Sequence, residues 1–403
     1  MNPETFLQLS KNDKNKYIKN MIIKSTKIKF PKNETESNLY DYKFWPSQPL
    51  LNNENEMNES NFIYEKLDKI YIEKIDNLEL SNLQLSNSTV VNDIFKLINE
   101  NNGKDFNIIY DIEHLNLLLG SDNIIIGLKF KDKLIGVIFG SIKDYCLCDK
   151  NVKIGVVKFL YINKLYHGKR YSEHLINGFR NELIDKNIYY CLFTSNRYIP
   201  VPISKIEKYY RPLNYKKLCN TQFCTTKDKK IFSYNKEKYK LDQDISHLIV
   251  NINENNIDKI FNIYLEYMEK FYLYEHLSLN KLKNIVKNKH VSVYGLLNKD
   301  NIIVDFFMYF NAKARHNNID ISYADLLFYT NVSVEYTPNK ILNIISKVAH
   351  DEKNDMLILN NNLESNNVLE EVDSYYSKLN MANYIYLYNW KTPKMNLNQI
   401  GYI

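Results

Sequence analysis

A short basic loop between an apolar strand-like run and an amphipathic helix is the part of the sequence best suited to bind an anion. Val156–Ile162 is mostly apolar, Tyr166–Ser172 contains a glycine and two adjacent cations, and Ser172–Leu183 carries apolar residues at helical spacing. A strand, a basic glycine-containing loop and a helix N-terminus present free backbone N–H groups and a helix dipole to a pyrophosphate. An ordinary solvated turn fits the same pattern, so the motif alone leaves both interpretations open.

Tyr42–Pro49 is a second unusual stretch, with three aromatic side chains, one lysine and two prolines in eight residues. Aromatic residues beside prolines commonly pin an arm onto the body of a protein. A binding role would require Lys43 to meet an anion while the rings cover a ligand.

The C-terminal twenty residues, Tyr384–Ile403, contain five aromatic and six aliphatic or methionine side chains. A C-terminus is usually polar and frayed. This composition favours a terminal carboxylate that is carried into the body of the protein. A last strand with an exposed end also fits it.

Composition indicates a globular chain without a nucleic-acid partner. A length of 403 residues is natural for two packed lobes, and 44% hydrophobic and 25% charged residues are ordinary globular values. The net charge of +6 comes almost wholly from lysine, because only five arginines occur. No Lys/Arg cluster is dense enough to indicate binding of nucleic acid.

The cysteines and the hydropathy pattern predict a cytoplasmic protein. Five cysteines show no paired spacing beyond Cys146-Leu-Cys148, which is too short for a zinc knuckle, so we expect reduced thiols and no metal site. The sequence has neither an N-terminal signal-like segment nor an apolar run of eighteen residues, so no membrane span is expected. We expect a monomer.

The same order of helix, hairpin, strand and helix is predicted twice. The first set comprises Asn92–Glu100, Ile124–Phe130 with Leu134–Ile142, Val152–Ile162 and Ser172–Leu183. The second set comprises Ile257–Phe271, Val291–Leu297 with Ile302–Phe310, Leu326–Ser333 and Asn339–Val348. This repetition predicts two copies of one α+β unit, joined by the lysine-rich segment 226–246.

Two neighbouring motifs resemble eukaryotic glycylpeptide N-tetradecanoyltransferases, also called N-myristoyltransferases. In that family a Thr-Ala-Gly segment leads to Pro-Lys-Pro and then to Trp-His-Arg-Ser-Leu-Asn-Pro-Lys-Lys-Leu. Phe193–Pro202 and Tyr209–Leu218 are similar to these segments, in the same order. Further collinear matches extend the resemblance over roughly residues 40 to 403: Tyr42–Trp45 with Gln48-Pro49, Leu97–Asn101, Phe159-Leu160, His167–Ser172, Asp305-Phe306, Phe328–Asn331 and Tyr386–Lys391 with Pro393, Met395 and Gly401.

The resemblance implies an α+β fold in which two pseudo-symmetric GNAT-like acyltransferase lobes form one compact saddle-shaped sheet with surrounding helices. An N-terminal arm would comprise residues 1–40, a lobe that binds myristoyl-CoA residues 41–225, and a peptide-binding lobe residues 226–403. The implied activity is transfer of myristate from myristoyl-CoA to the N-terminal glycine amine of protein substrates by direct attack on the thioester. Myristoyl-CoA is a co-substrate, and no other cofactor is implied.

Site residues also follow from the resemblance. The backbone amides of Phe159 and Leu160 would donate to the oxyanion, Thr194 would hold the glycine amine, and the terminal carboxylate of Ile403 would be the base. Myristoyl-CoA would contact two segments and the strand between them: Tyr42, Lys43, Phe44 and Trp45; Phe159, Leu160, Tyr161 and Ile162; and His167, Gly168, Lys169, Arg170, Tyr171 and Ser172. The peptide would contact Asp105, Tyr110, Thr194, Tyr329 and Asn362.

The chain departs from the family pattern at several of these positions. Lys158 replaces an asparagine, and such a lysine would repel an ammonium ion or lower its pKa. An acidic run is reduced to Asp105, a peptide-contacting serine becomes Met308, and Asn362 replaces an aspartate. A histidine near the lobe junction becomes Thr225. The C-terminus stops about two residues early, which removes about 7 Å of extended chain.

Three functions are compatible with this sequence. The first is an active N-myristoyltransferase. The second is a non-catalytic relative that binds acyl-CoA or lipopeptides, which the short tail, Lys158 and Asn362 would explain. The third is a sister acyltransferase that uses another chain length or a lysine acceptor.

Overall fold

The computed structural model of the chain describes residues 10, 12–14, 30–51, 59–101, 106–224, 229–239, 241, 244–333, 335–366, 369 and 375–401. Its strands, in chain order, are β1 Asn61–Phe62, β2 Leu78–Asn82, β3 Asn107–Ile109, β4 Asn123–Phe130, β5 Lys133–Leu147, β6 Lys150–Ile162, β7 Cys191–Ser195, β8 Ser204–Pro212, β9 Ile249–Asn251, β10 Leu273–Glu275, β11 Val291–Leu297, β12 Ile303–His316, β13 Ile319–Tyr329, β14 Met356–Asn360, β15 Ser377–Tyr388 and β16 Trp390–Lys391.

The α-helices surround these strands. They are α1 Glu34–Leu39, α2 Ser88–Asn101, α3 Ile112–Leu119, α4 Tyr171–Asp185, α5 Tyr215–Asn220, α6 Lys229–Lys238, α7 Asp258–Met268, α8 Leu279–Lys287 and α9 Pro338–Asp351. Short 3₁₀ helices lie at Trp45–Ser47, Lys164–Tyr166, Ser246–Leu248 and Leu397–Gln399. None of the helices in the described ranges is long and apolar enough to span a bilayer.

Within the described part of the chain, fourteen strands form one mixed sheet. Its main path is β2-β4-β5-β6-β7-β15-β8-β14-β13-β12-β11-β9, with β10 beside β5 and β3 beside β12, whereas β1 and β16 pair separately. One structural unit occurs twice in this sheet. Strands β4, β5 and β6 are antiparallel neighbours, and α4 then leads to β7, which is parallel to β6. Strands β11, β12 and β13 repeat this order, with α9 leading to β14, parallel to β13.

The α+β class predicted from the sequence is confirmed, and the two units share their central strands. β15, from the second half of the chain, pairs with β7 of the first half, and β8 of the first half lies between β15 and β14. Hydrogen bonding is therefore continuous across the molecule. The predicted lobe boundary at residue 225 falls in 225–228, outside the described residues, so the division into lobes stays a prediction.

Two glycines in the central strands allow α4 to lie close to the sheet. A Cβ on Gly140 would come 2.4 Å from the Phe179 ring, and one on Gly155 would come 2.5 Å from Leu183. Both neighbours belong to the apolar face of α4, which the sequence predicts. Absence of side chains at these two strand positions thus fixes the distance between helix and sheet.

Several element boundaries differ from the predicted ones. The predicted helix Asn92–Glu100 with an asparagine cap is wrong at its start, because α2 begins at Ser88 and the side chain of Asn87 accepts from Thr89 and Val90 N–H. The predicted strand Leu326–Ser333 is also displaced, since β13 covers Ile319–Tyr329. Its first half contains the polar residues Asp320 and Ser322 between apolar ones, and it pairs with the extended end of β12.

Candidate active site

Strands β6 and β7 separate in the middle of the sheet. They pair in parallel through Gly155–Val157 and Cys191–Phe193, and β6 then continues to Ile162 alongside β5. The register against β5 jumps from Val157–Gly140 to Phe159–Phe139, so Lys158 is the extra residue of a β-bulge. A bulge bends its strand and increases the local twist, and bulges are common beside active sites. The result is a wedge between the two strands.

An apolar cavity of about 170 Å³ lies at this wedge. One wall is the inner face of α4, including Ile176, Phe179 and Leu183. The sheet and the arm that contains Trp45 complete the enclosure. Lining residues from these parts are Trp45, Ile138, Val157, Lys158, Phe159, Leu160, Cys191, Phe193, Thr194, Ser195 and Tyr388. Such a lining suits a long aliphatic chain, since transfer of apolar surface out of water is favourable.

Thr194 and Leu160 face the cavity from opposite sides of the wedge. Thr194 follows the last residue of β7 that pairs with β6, and it is exposed. Within the described residues its hydroxyl has no hydrogen-bond partner. Leu160 is 41% exposed although it is a large apolar residue on a central strand. Both positions are therefore accessible to a ligand that enters the wedge.

The basic loop reaches α4 through two residues with left-handed backbone. Gly168 has φ +81°, and Arg170 has φ +61° at the N-cap of the helix. A Cβ on Gly168 would meet no atom within 4 Å, so the loop is open on that side. The cap uses no side-chain hydrogen bond, and the first N–H groups of α4 consequently remain suited to an anion.

The loop cations differ in their partners. Arg170 Nε donates to Glu173 Oε1 at 2.6 Å, and this interaction raises the pKa of Arg170 above its ordinary value. Lys169 lies over the ring of Tyr166, with 5.2 Å between its Nζ and the ring centroid. His167 Nε2 lies 2.9 Å from the carbonyl oxygen of Ile162, which ties the loop back to the end of β6.

The aromatic arm packs beside the cavity. Trp45 stacks on Phe193 with ring centroids 5.7 Å apart, and the hydroxyl of Tyr42 donates to the carbonyl of Tyr198 at 2.5 Å. Lys43 pairs with Asp41 at 2.6 Å, with 71% of its side chain exposed. The arm is therefore pinned through its rings, and its lysine points into solvent.

Lys158 introduces charge into this apolar site. It is half-buried, and burial together with the ammonium of Lys143 lowers its pKa to about 8, against the opposing effect of Glu275. Lys143 Nζ and Glu275 Oε2 form an ion pair at 2.5 Å that is largely shielded from solvent. The bulge therefore carries a lysine whose pKa lies well below that of an exposed lysine.

The last described residues run into the interior. Ile400 is fully buried and forms a parallel bridge with Leu273, and Gly401 N–H donates to the carbonyl of Leu273 at 2.9 Å. Asn362 Nδ2 donates to the carbonyl of Gly401 at 2.8 Å. Because the bridge is parallel, the chain at Ile400 runs in the direction of β10, toward Glu275.

A second cavity, of about 580 Å³, is more polar than the first. His290 and Asp111 contact each other there at 2.8 Å, and Glu352 accepts hydrogen bonds from Ser292, Tyr294 and Tyr309. Desolvation of the paired charges and hydroxyls would oppose entry of an aliphatic chain.

The comparisons with known proteins agree with this architecture. Residues 53–206 match the family model "Myristoyl-CoA:protein N-myristoyltransferase, N-terminal domain". The glycylpeptide N-tetradecanoyltransferase of Plasmodium falciparum is 25% identical over 394 residues, covering 90% of this chain and 93% of the relative. Glycylpeptide N-tetradecanoyltransferase 2 of Danio rerio is 20% identical, covering 92% of this chain and 79% of that protein.

The chain is similar to the N-myristoyltransferase family, as its sequence motifs predict. Its fold is also that of Saccharomyces cerevisiae N-myristoyltransferase, solved with bound myristoyl-CoA and inhibitors. The TM-score is 0.81 at 18% identity, and the match covers 96% of this chain and 98% of the yeast chain.

The structure brings together many of the site residues predicted from the family resemblance. Phe159, Leu160, Thr194 and Trp45 all line the apolar cavity. Tyr110 packs edge-on against Phe159 at 5.5 Å, and burial raises its pKa. Tyr161 stacks on the same Phe159 ring at 5.9 Å. The rings of Tyr110, Phe159 and Tyr161 thus form a cluster that adjoins the wedge on the side away from α4.

Other predicted residues lie apart from the cavity or outside the described residues. Tyr329 is fully buried in the core, with its hydroxyl 3.4 Å from Ser365 Oγ, and Asn362 is occupied by the C-terminal segment. Asp105 and Ile403, as well as the family-divergent Thr225, are not among the described residues. Their roles stay predictions.

Sequence reasoning missed the partners of Lys158 and most of the cavity wall. Lys143 and Glu275 lie on different strands and are 132 positions apart in the sequence, so no local sequence pattern connects them. Part of the cavity wall could be predicted from the sequence, because the apolar face predicted for α4 contains Ile176, Phe179 and Leu183.

Proposed function

We propose that the protein transfers myristate from myristoyl-CoA to the N-terminal glycine amine of protein substrates. The observation that carries this proposal is the apolar cavity that opens at the bulge between β6 and β7. It places an aliphatic chain next to a wedge in which a thioester and an amine can meet. The match to the family model and the named activity of the relatives support the same conclusion.

The acyl chain provides binding free energy, and the loop provides orientation. Each buried methylene contributes about 0.8 kcal/mol, so an acyl chain enclosed by α4 and the sheet binds tightly without polar contacts. The pyrophosphate of CoA would lie on the loop His167–Ser172, where the open N-terminus of α4 favours negative charge. Tyr42–Trp45 would cover the ligand from the other side.

The reaction is direct attack of the glycine nitrogen on the thioester carbonyl. A new C–N bond forms, the C–S bond breaks, and the amide and free CoA thiol are released. An α-ammonium has a pKa of roughly 8, so it must lose a proton before attack. Thr194 would hold the amine, the backbone amides of Phe159 and Leu160 would stabilise the oxyanion, and the terminal carboxylate of Ile403 would act as a base. The peptide would extend past Asp105 and Tyr110.

A transfer assay tests this function. The full chain is incubated with myristoyl-CoA and a peptide that begins with glycine, and both CoA thiol and acylated peptide are measured. We expect equimolar thiol and amide-linked myristate on the glycine nitrogen. The same peptide with an acetylated N-terminus is the control and should remain unmodified.

A non-catalytic acyl-CoA-binding function is the second candidate, because Lys158 places a cation where the amine must approach. Saturable binding of myristoyl-CoA without thiol release from any glycine-initiated peptide would favour it. We further propose a cytoplasmic location, which the free state of the five cysteines supports, and a monomer.

A further inference from the structure

One end of the first sheet unit presents two loops side by side. The β4–β5 turn and the loop from β6 to α4 lie at this end, because β5 pairs with both β4 and β6. The rings of Phe130 and Tyr166 join the two loops, with 5.8 Å between their centroids. We call residues 129–133 and 163–170 the basic end.

The basic end has a strong excess of positive charge. Its thirteen residues include six lysine or arginine side chains and one carboxylate, that of Asp132. Arg170 already pairs with Glu173 of α4, so it adds little to this excess. Four of the lysines are exposed: Lys131, Lys133, Lys164 and Lys169. A surface of this kind attracts an anionic partner.

Leu165 projects from the same end, and 81% of it is exposed. Its backbone is held in place, because Leu165 N–H donates to the side-chain oxygen of Asn163 at 3.0 Å, and the Asn163 amide donates to Glu100 Oε2 at 2.6 Å. A single exposed leucine is common on protein surfaces and carries no conclusion by itself. A leucine fixed among exposed lysines, however, combines an apolar contact with contacts to anions.

The corresponding turn of the second sheet unit lacks this combination. Between β11 and β12 one cation, Lys299, is balanced by one carboxylate, Asp300. Ile302 beside them is nevertheless 58% exposed. An exposed apolar residue therefore occurs at both turns, and the excess of lysine is what distinguishes the basic end.

We propose that the basic end docks on the surface of an anionic lipid bilayer. Leu165 enters the boundary between headgroups and hydrocarbon, and the exposed lysines contact the anionic headgroups. Each lysine near such a surface strengthens binding about fivefold, and insertion of one leucine adds about tenfold or more. A nucleic acid would offer phosphates to the lysines but no apolar medium to Leu165, so the bilayer is the partner that this surface fits.

Docking in this orientation brings the start of α4 to the lipid surface. Residues 167–170 follow Leu165 almost directly and lead into α4, whose inner face lines the apolar cavity. An acyl-CoA is an amphiphile, and its chain partitions into bilayers. The protein would therefore meet such a molecule where it is concentrated. Docking itself requires no transfer activity.

Sedimentation with lipid vesicles tests the proposal on the full chain without any substrate. One set of vesicles is phosphatidylcholine alone, and the other is phosphatidylcholine and phosphatidylserine at about 2:1, which gives an anionic surface. We expect the partition coefficient to be about tenfold or more higher for the anionic vesicles, and to fall steeply when the salt concentration is raised from about 0.1 M to about 1 M. Equal binding to both sets, or binding to neither, would overturn the proposal.

Two substitutions separate the apolar contact from the charge. Leu165→Ser should lower the partition coefficient on anionic vesicles about tenfold, and Lys131→Glu should lower it by about fivefold or more. Ile302→Ser and Lys299→Glu are the matched controls at the turn of the second unit, where the exposure of the apolar residue is similar. Both controls should bind like the wild-type protein. Losses of equal size in a variant and its control would overturn the assignment to the basic end.

Two further measurements exclude other roles of the same surface. Leu165→Ser should bind myristoyl-CoA like the wild-type protein in the absence of lipid, and a loss of this affinity would place Leu165 in the acyl-CoA site and overturn the proposal. Binding to polyuridylate that Leu165→Ser leaves unchanged, without binding to vesicles, would identify a nucleic-acid surface instead. Absence of transfer activity would overturn the proposed function and leave the result with vesicles unaffected.

Discussion

Individual side chains in the wedge have separable tasks, and Thr194 is the simplest to isolate. Its hydroxyl lies at the cavity, on β7, at the point where β6 has turned away. Thr194→Val preserves shape and removes the hydroxyl. We expect kcat/KM for the peptide to fall about 10- to 150-fold, because one hydrogen bond to a charged amine contributes about 1.5–3 kcal/mol.

The measurement is steady-state kinetics with peptide and myristoyl-CoA varied in turn. The KM for myristoyl-CoA should stay constant, since the lost contact concerns the amine. Thr392, a buried residue of the C-terminal part, supplies the control Thr392→Val, which should change stability and leave the peptide KM unchanged. An unaltered kcat/KM in Thr194→Val would contradict the assigned role.

At the residue scale the sequence predicted the types of the site residues better than their partners. Phe159, Leu160 and Thr194 belong to short sequence segments that resemble the family, and all three line the cavity. Lys158 stood out as a departure from the family pattern. Its neighbours Lys143 and Glu275 could not be predicted, because their proximity depends on strand register between β5 and β10 rather than on spacing along the chain.

The loop before α4 determines how the helix N-terminus is presented. Gly168→Ala places a Cβ at φ +81° and should cost about 1 kcal/mol of stability. We expect it also to raise the KM for myristoyl-CoA, because relief of the strain displaces the backbone N–H groups that would meet the pyrophosphate. Binding is measured by calorimetry with myristoyl-CoA.

Gly120 provides a matched control for this prediction. It has φ +69° at the C-cap of α3, and an added Cβ there likewise meets no atom within 4 Å. Gly120→Ala should lose similar stability with unchanged affinity for myristoyl-CoA. Equal losses of affinity in both variants would mean that the loop acts through global stability alone.

Element types were predictable from periodicity, and element ends were less so. Strands β4 and β5 and helices α4 and α9 lie where the apolar pattern placed them. β12 extends to His316, well past the predicted Phe310, because exposed Lys313 and Arg315 alternate with buried alanines. Pairing with β13 and β3 stabilises this polar extension, and such long-range pairing leaves little trace in a local window.

At the scale of the whole molecule, the C-terminal segment joins both halves of the chain. Ile400 is fully buried beside β10, and its carbonyl accepts from Leu363 N–H at 3.2 Å. We expect deletion of residues 402–403 to reduce transfer about 10²-fold or more, because it moves the terminal carboxylate back to Gly401, about 7 Å short of the position proposed for the base. The buried contacts of Ile400 and Gly401 remain, so the melting temperature and myristoyl-CoA binding should change little.

Two measurements check this deletion. Thermal unfolding compares the deletion with Ile400→Ala, which should lose about 2–5 kcal/mol because it opens a cavity in the core. Transfer assays then separate the chemical defect from the structural one. Full turnover by the deletion variant would contradict a base at the terminus.

The central claim is that the wedge between β6 and β7 is where thioester and glycine meet, and a crystal structure with bound myristoyl-CoA tests it most directly. We expect the acyl chain in the apolar cavity against Phe179 and the thioester oxygen within hydrogen-bond distance of the Phe159 or Leu160 amide. The pyrophosphate should lie at the loop that contains Gly168. An acyl chain located elsewhere, such as the polar cavity beside His290 and Glu352, would contradict the account.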